Sequence, residues 1–535
     1  MSGGLPSERE WAWIVALIFC LVAPEMLLIN LGSMDELWSY QACRRILHHQ
    51  VPYLDFNLIV SPFSAQLGGF WLWVFGDVLV VHRVLGILCN ALFLGLIYQI
   101  ARKIGMTALG GVFALAAAAF AIDHLPFYNY NWLALLFALG AMNCLLTPGH
   151  ASKTQRLPRF TMSNTVLAGF LLGMAAITKQ NTGLAFLAAL LVYLGWLALA
   201  GRGRKPIRDL LRPPAAIGIG FSIPVAVEFM VIGVQGGLGP WNSFAGGGLA
   251  RFYAETSRSF WVYFQGNPVY AGLAVLIPAA IVFMLAAAGS RSGRPEPDWN
   301  LRLLAAGTLA VFSQVIPLYD TVHLIMTLPL VLIGLSKAGS VRFGPKRPIF
   351  KSDSVLTERL GFRSVDSAAF AATAALTILL LLAVPYYRMV QLAHHELVFS
   401  SLPRYQGIPV KPEMDLTLRS VGTWMIAQES MGRQVVIFHA NKAAFLIPLD
   451  RFGSRFDSLL AGNFGALGKE KVWQLSGLRP GTVLLTQKPG TWLQPQWLYR
   501  MVQARCRFIG TLAGYEIWQV NPRKGITNAA ENTST

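Results

Sequence analysis

Two adjacent carboxylates, Asp35 and Glu36, follow the first long apolar segment of the chain, which fills residues 11–31. The two acids therefore stand where a helix would leave a membrane, and hydrocarbon strongly disfavours a charged side chain. A carboxylate at such a boundary can take a proton from an attacking hydroxyl. The alternative is that the pair only caps the helix that follows, because acids favour a helix N-terminus.

More polar side chains fall in predicted loops on the same side of the membrane as the acid pair. Several of these turns are too short to reach far into water, so we expect their side chains to line a shared polar cavity. The alternative is a set of unrelated residues at solvated loop tips. The candidates are Asp55, Asp123, His124, Tyr130, Asn131, Lys179, Gln180, Asn181, Asp320 and His323.

The stretch after the acid pair is mildly amphipathic and predicts a short helix lying along the membrane surface. Leu37 and Tyr40 would share its apolar side, while Arg44 and Arg45 would face water or lipid headgroups. Prolines then prevent a longer helix. Residues 62–76 are apolar but few and interrupted by glycine, which indicates a re-entrant or interfacial piece and not a full span.

The composition is that of a polytopic α-helical membrane protein. Of the 535 residues, 54% are hydrophobic and only 13% are charged, whereas soluble proteins carry about 25% charged residues. The five cysteines are scattered without metal-ligand spacing, so we expect neither disulfides nor a bound metal or other cofactor, although a divalent metal is not excluded. We place spans at about 11–31, 80–101, 107–122, 129–147, 164–178, 182–200, 213–235, 268–288, 302–319, 322–338 and 367–387.

The net charge of +18 arises from basic residues in alternate loops, a pattern that explains it better than nucleic-acid binding does. The positive-inside rule makes loops 148–163, 201–212, 289–301 and 337–366 cytoplasmic. Residues 1–387 would then form a transmembrane domain, and 388–520 a small α/β domain on the outer face, periplasmic or extracellular. In it we predict a helix over 414–430, strands over 433–439 and 482–486, and a hairpin over 508–520. We expect no catalytic acid or base from this domain, and a disordered tail over 521–535.

The order and membrane side of these pieces resemble the GT-C-fold glycosyltransferases that use polyprenyl-phosphate-linked sugars. Similar proteins are the bacterial protein mannosyltransferases, the lipid A aminoarabinose transferase and the rhizobial lipopolysaccharide-core transferases. The resemblance covers roughly residues 10–340. It rests on Asp35-Glu36, Arg44-Arg45, the VPYLDF segment at 51–56, Gly76, His82-Arg83, the YNWL segment at 130–133, the TKQN segment at 178–181, and Asp320 with His323.

The resemblance implies an inverting glycosyltransferase that moves a sugar from a polyprenyl-phosphate donor to a cell-envelope acceptor: lipopolysaccharide, glycan or protein. It would work at the outer face of the bacterial inner membrane. The position that matches the family's base is Asp35, with Glu36 as the alternative. The alternative function is a transporter or flippase of lipid-linked saccharides, although transporters usually place polar residues near the bilayer midplane.

The chain departs from the family pattern at one position. Some relatives carry a lysine before the proline that corresponds to Pro62, where it contacts the lipid phosphate, but here Ser61 precedes that proline. We expect Lys179 to supply a phosphate contact in its place, because phosphate favours such donors. The alternative for Lys179 is a snorkelling side chain that anchors a helix end.

Overall fold

The computed structural model describes residues 8–32, 34–106, 108–123, 125–147, 160–201, 206–242, 257–289, 297–316, 318–343, 383, 385–465, 467–490 and 495–522. Almost all of the eleventh predicted span, most of the basic loops and nearly all of the predicted tail lie outside these residues. The described chain is helical over its first two thirds and ends in a small sheet.

The first nine helices are α1 Glu8–Leu27, α2 Met34–Leu47, α3 Phe63–Phe75, α4 Leu79–Lys103, α5 Ala108–Asp123, α6 Tyr130–Leu145, α7 Met162–Thr178, α8 Gln180–Gly201 and α9 Ile207–Val234. A single turn at Leu238–Trp241 and a 3₁₀ helix at Phe260–Gln265 follow. The next helices are α10 Pro268–Ala287, α11 Trp299–Phe312, α12 Thr321–Met326 and α13 Leu328–Phe343, with a 3₁₀ turn at Ser313–Val315.

A helix lies at each of the first ten predicted spans. Within the described residues, five helical segments are long and apolar enough to cross a membrane by length and composition: Leu79–Lys103, Gln180–Ala200, Arg208–Val234, Pro268–Ala287 and Thr321–Gly339. Several of the other helices are apolar but shorter than a full span, as α6 and α7 are. The count of eleven spans therefore stays a prediction.

Helices α7 and α9 pack backbone against backbone. A Cβ atom built on Gly169 would lie 2.2 Å from the carbonyl oxygen of Ile217, and one on Gly220 would lie 2.1 Å from that of Val166. Gly169 and Gly173 stand four residues apart, the small-residue spacing that lets helices approach closely in a membrane. This contact holds α7 in place, and Lys179 follows directly at its C-terminal end.

The C-terminal part contains a four-stranded sheet in the order β3-β4-β6-β5. Its strands are β3 Val435–Phe438, β4 Val483–Thr486, β5 Cys506–Leu512 and β6 Tyr515–Val520; β3 and β4 are parallel and the other pairs antiparallel. A two-stranded ladder, β1 Val398–Phe399 with β2 Pro409–Val410, precedes it. The helices of this part are α14 Pro412–Ser430, α15 Ala443–Leu446, α16 Lys469–Leu475 and α17 Gln496–Arg505, with 3₁₀ turns at Ile447–Leu449 and Ala461–Phe464. The predicted strands and hairpin lie at these positions, with Gly514 at a positive φ of 82° in the hairpin turn.

Arg44 and Arg45 do not face water or headgroups, so that prediction is wrong. Their exposed fractions are 0% and 2%, because the C-terminal part covers this side of α2. Arg44 pairs with Asp77 at 3.0 Å and also with Asp450. Arg45 pairs with Asp457 at 2.7 Å. Each buried guanidinium thus has a carboxylate partner, as burial of a charge requires.

Candidate active site

A cavity of about 240 Å³ lies where the N-terminal ends of α2 and α6, the α7–α8 turn and the start of α12 meet. It brings together eight of the predicted site residues: Asp35, Tyr130, Asn131, Lys179, Gln180, Asn181, Asp320 and His323. The other described residues that line the cavity are Met34, Trp38, Ile59, Val60, Leu125, Gln314, Leu318, Val322, Ser458, Leu460 and Asn463. The predicted convergence of loop residues on one cavity is therefore seen for these eight, but much of the surface of that cavity is apolar.

Three titratable residues in the cavity wall form one linked group. The Lys179 Nζ lies 3.0 Å from the His323 Nε2, and the His323 Nδ1 lies 2.8 Å from both oxygens of Asp320. All contacts are satisfied when Nδ1 carries the imidazole proton, so that it donates to Asp320 while Nε2 accepts from the ammonium. The Asp320 carboxylate also accepts from the His323 backbone N–H at 2.8 Å, which caps α12.

This group tunes the charge states of its members. Burial lowers the pKa of Lys179 to about 8, although Asp320 opposes the shift. Burial would raise the pKa of Asp320, but its contacts with His323 and the charge of Lys179 hold it at about 2. The cavity therefore has a cationic side that stays charged near neutral pH and carries its own compensating carboxylate.

Asp35 stands apart from this group. No described residue donates a hydrogen bond to its carboxylate or pairs with it, and its side chain is exposed to the cavity. The cavity is partly open, and the protein around it still limits the solvation of a side chain that faces it. Burial and, next, the charge of Asp320 raise the pKa of Asp35, while His323 opposes the shift. Asp35 is thus an unengaged carboxylate with increased basicity, which suits a general base.

Glu36, the alternative base, does not line the cavity. Its two oxygens accept hydrogen bonds from Arg83 at 2.7 and 2.9 Å, and both side chains are 1% exposed. Arg83 also donates to the carbonyl oxygens of Leu27 and Ile29, at 3.2 and 2.6 Å. Through Arg83, Glu36 thus links the start of α2 to the end of α1, next to Asp35.

The remaining predicted residues lie elsewhere. Arg44 and Arg45 are held in the ion pairs described above. The Asp55 carboxylate is exposed and accepts from the Val51 backbone N–H at 2.7 Å within a turn. Asp123, exposed at the end of α5, hydrogen-bonds to Glu25. His124 lies outside the described residues.

One further cluster has the residue types of a metal site. His48, Asp77 and Asp450 place potential ligand atoms within 4.8 Å of one another. Arg44 contacts both carboxylates, and Arg404 lies 3.4 Å from Asp77 and 3.2 Å from Asp450. Two guanidinium groups already neutralise these acids, so we interpret the cluster as an ion-pair network.

Sequence reasoning missed part of the cavity wall. Ser458 and Asn463 come from the C-terminal part, more than 400 residues after Asp35, and no local signal places them there. Trp38 follows Asp35 by one helical turn, a spacing that puts two side chains on the same helix face and could have identified it. The indole of Trp38 meets the ring of Tyr130 edge to face at 5.9 Å.

Comparison with known proteins finds a family model that matches part of the chain and solved structures with a similar fold. A family model described as dolichyl-phosphate-mannose-protein mannosyltransferase matches residues 60–222. No curated protein sequence matches the chain significantly. Among solved structures, ArnT from Cupriavidus metallidurans bound to undecaprenyl phosphate is similar, with a TM-score of 0.54 and 14% identity over 97% of this chain and 100% of that one.

Two further structures complete the comparison. ArnT from the same organism in the apo state has a TM-score of 0.52 and 14% identity, over 96% of this chain and 99% of that one. The oligosaccharyltransferase of Archaeoglobus fulgidus in the apo form has a TM-score of 0.44 and 13% identity, over 83% of this chain and 64% of that one, a likeness too low for an argument. The chain therefore has the fold of the GT-C membrane glycosyltransferases, as its sequence resemblance predicts.

Proposed function

We propose that this protein is an integral-membrane inverting glycosyltransferase that moves a sugar from a polyprenyl-phosphate donor to a cell-envelope acceptor. The observation that carries the proposal is the cavity itself, in which the unengaged carboxylate of Asp35 faces the same space as the Lys179–His323–Asp320 group. A similar fold is known with undecaprenyl phosphate bound, which supports a lipid-phosphate donor.

The reaction follows from the two sides of the cavity. Asp35 takes the proton of the acceptor hydroxyl as its oxygen bonds to the anomeric carbon of the sugar. The bond from that carbon to the phosphate oxygen breaks, and its electron pair leaves on the phosphate. Attack comes from the face opposite the leaving group, so the anomeric configuration inverts. Lys179, whose ammonium already donates to His323, stabilises the phosphate charge that develops.

The cellular setting is part of the same proposal. The cavity and the C-terminal part would lie on the outer face of a bacterial inner membrane, and the alternation of basic loops supports that side. The acceptor would then be lipopolysaccharide, another envelope glycan or a protein. Ser458, Leu460 and Asn463 bring the C-terminal part to the cavity rim, so that part shapes the path of the acceptor while Asp35 supplies the base.

The test is transfer by the purified full-length protein. It is incubated with polyprenyl-phosphate sugars and an envelope extract as the acceptor source, and free polyprenyl phosphate and labelled acceptor are measured. We expect equal amounts of both products, and loss of both in an Asp35→Asn variant. Movement of the lipid-linked sugar across vesicles without release of polyprenyl phosphate would replace this proposal with the transporter hypothesis.

A further inference from the structure

A side chain outside the cavity holds the turn that carries Asp320. The hydroxyl of Tyr263 donates to the backbone carbonyl of Asp320 at 2.8 Å. Tyr263 belongs to the 3₁₀ helix Phe260–Gln265 and is 3% exposed, whereas Trp261 in the same helix is 65% exposed. The charge of Arg258, just before this helix, also acts on the Tyr263 hydroxyl. Tyr263 does not line the cavity, so its effect on the site must pass through Asp320.

The turn before Asp320 needs support from other parts of the chain. Tyr319 has a φ of 48°, a left-handed conformation that is unfavourable for a residue with a Cβ atom. Helix α12, which follows Asp320, has only six residues and is too short to hold this turn by itself. Strained backbone persists only where its surroundings determine it, and it clusters at functional sites.

Three aromatic rings supply this support. Phe260, Tyr263 and Tyr319 meet edge to face in every pair, with ring centroids 5.8–6.2 Å apart and interplanar angles of 77–81°. Aromatic pairs favour this geometry. The rings join the 3₁₀ helix to Tyr319, and the Tyr263 hydroxyl extends the contact to the carbonyl of Asp320. The strained turn is thus held at both Tyr319 and Asp320.

The position of Asp320 in turn affects Lys179. The Asp320 carboxylate accepts from the His323 Nδ1, and the His323 Nε2 lies 3.0 Å from the Lys179 Nζ. The charge of Asp320 supports the protonated state of Lys179 against burial, which lowers the pKa of this ammonium. From the other walls, Tyr130 places its ring 5.9 Å from the Nζ, and Asp35 faces the same cavity.

We propose that Tyr263 is a positioning residue for the phosphate-binding side of the cavity, which holds Asp320 in place and, through His323, orients the Lys179 ammonium. This inference rests on the proposed function, because that function assigns Lys179 to the donor phosphate. Without the Tyr263 hydroxyl, Asp320 would be held less firmly and its charge would act less strongly on Lys179. The ammonium would then lose its proton at a lower pH.

The experiment titrates the binding of polyprenyl phosphate to the full-length protein against pH, for the wild type and for Tyr263→Phe. We expect the midpoint of the decline in affinity to fall by about 0.3–1 pH unit in the variant, a change of about 2–10-fold in proton affinity and the effect of one hydrogen bond. At about pH 6 Lys179 keeps its proton in both proteins, so their affinities should agree within about twofold. The lipid phosphate titrates in the same way in every sample, so a difference between midpoints belongs to the protein.

Three further variants make the test specific. Asp320→Asn removes the charge itself and should move the midpoint in the same direction and at least as far. Phe260→Leu keeps the Tyr263 hydroxyl but removes one ring, so it should give a smaller shift of the same sign. Tyr405→Phe is the matched control, because the buried Tyr405 hydroxyl also donates to a backbone carbonyl, that of Ala444 at 3.1 Å, and Tyr405 does not line the cavity. It should leave the midpoint unchanged.

An unchanged midpoint in both Tyr263→Phe and Phe260→Leu would overturn the inference and leave the proposed function standing. Should Tyr263→Phe not fold, Phe260→Leu decides alone. A loss of affinity by the same factor at every pH would also overturn the inference, because a merely structural role has that effect. Failure of the wild type to bind polyprenyl phosphate would overturn the proposed function, and this inference with it.

Discussion

Asp35→Asn and Glu36→Gln should separate catalysis from stability at two adjacent carboxylates. Asparagine keeps the size of Asp35 but cannot accept the proton. Loss of a general base costs about 10²–10⁴-fold in rate, or about 2.7–5.5 kcal/mol of barrier. No described residue donates to the Asp35 carboxylate, and burial and Asp320 already raise its pKa. Removing this charge should therefore leave the free energy of unfolding unchanged or slightly higher.

Glu36→Gln should show the opposite pattern, with a large loss of stability and a smaller loss of turnover. The substitution leaves the buried Arg83 guanidinium without a charged partner, and its 2.7 and 2.9 Å hydrogen bonds to Glu36 cannot both survive. Breaking a buried ion pair by removing one partner costs about 3–5 kcal/mol of stability. Turnover per folded molecule should fall less than it does in Asp35→Asn.

The assay pairs thermal unfolding in detergent with turnover normalised to folded protein. Asp55→Asn is the control, because Asp55 is exposed and asparagine can accept the same Val51 backbone N–H. It should be close to wild type in both measurements. Near-wild-type turnover of Asp35→Asn would remove Asp35 from the mechanism, and a stable but inactive Glu36→Gln would reassign the base to Glu36.

Three further predictions follow from individual contacts. Affinity for polyprenyl phosphate should fall as the pH rises through about 8, because Lys179 then loses its proton, and Lys179→Arg should abolish that decline in a binding titration against pH. Burial lowers the pKa of Lys442 from 10.5 to about 7, so between these pH values the unfolded chain binds a proton that the folded chain does not. The free energy of unfolding should therefore rise with pH in that window, and Lys442→Met should remove this rise. Gly169→Ala should destabilise the protein by about 1–3 kcal/mol, since its Cβ would meet the Ile217 backbone. Its control is Gly195→Ala, in α8 with open space at its Cβ, which should instead stabilise by about 0.5–1 kcal/mol in the same thermal unfolding assay.

Local patterns carried most of what could be predicted about the fold. The position of α4 and the hairpin of β5 and β6 depend on hydrophobic runs, alternation and turn residues within a few positions along the chain. The alternation of basic and non-basic loops predicted that Asp35, Lys179 and Asp320 lie on the same side of the membrane. The short turns that carry them limited how far they could lie from the membrane surface. These two constraints were enough to predict that such residues share a cavity, which they do.

Contacts over long sequence separations explain what could not be predicted. Arg45 belongs to an amphipathic pattern that favours a surface helix, yet its carboxylate partner Asp457 lies 412 residues away. Asn463 reaches the cavity from the same distant segment. Neither periodicity nor charge alternation contains information on which remote segment covers a given helix face. The burial of Arg45 and the complete cavity wall therefore become visible only in the folded chain.

The Arg45–Asp457 ion pair also imposes an order on biosynthesis. A ribosome adding about 5–20 residues per second needs about 20–80 s to pass from one partner to the other. During that interval Arg45 has no carboxylate from the C-terminal part, so α2 must keep this guanidinium in water or among lipid headgroups. The surface helix that the local sequence favours thus describes the nascent chain, and the buried helix describes the finished one. A chain released before residue 457 would leave this cation without its carboxylate on the face of α2 that the C-terminal part later covers.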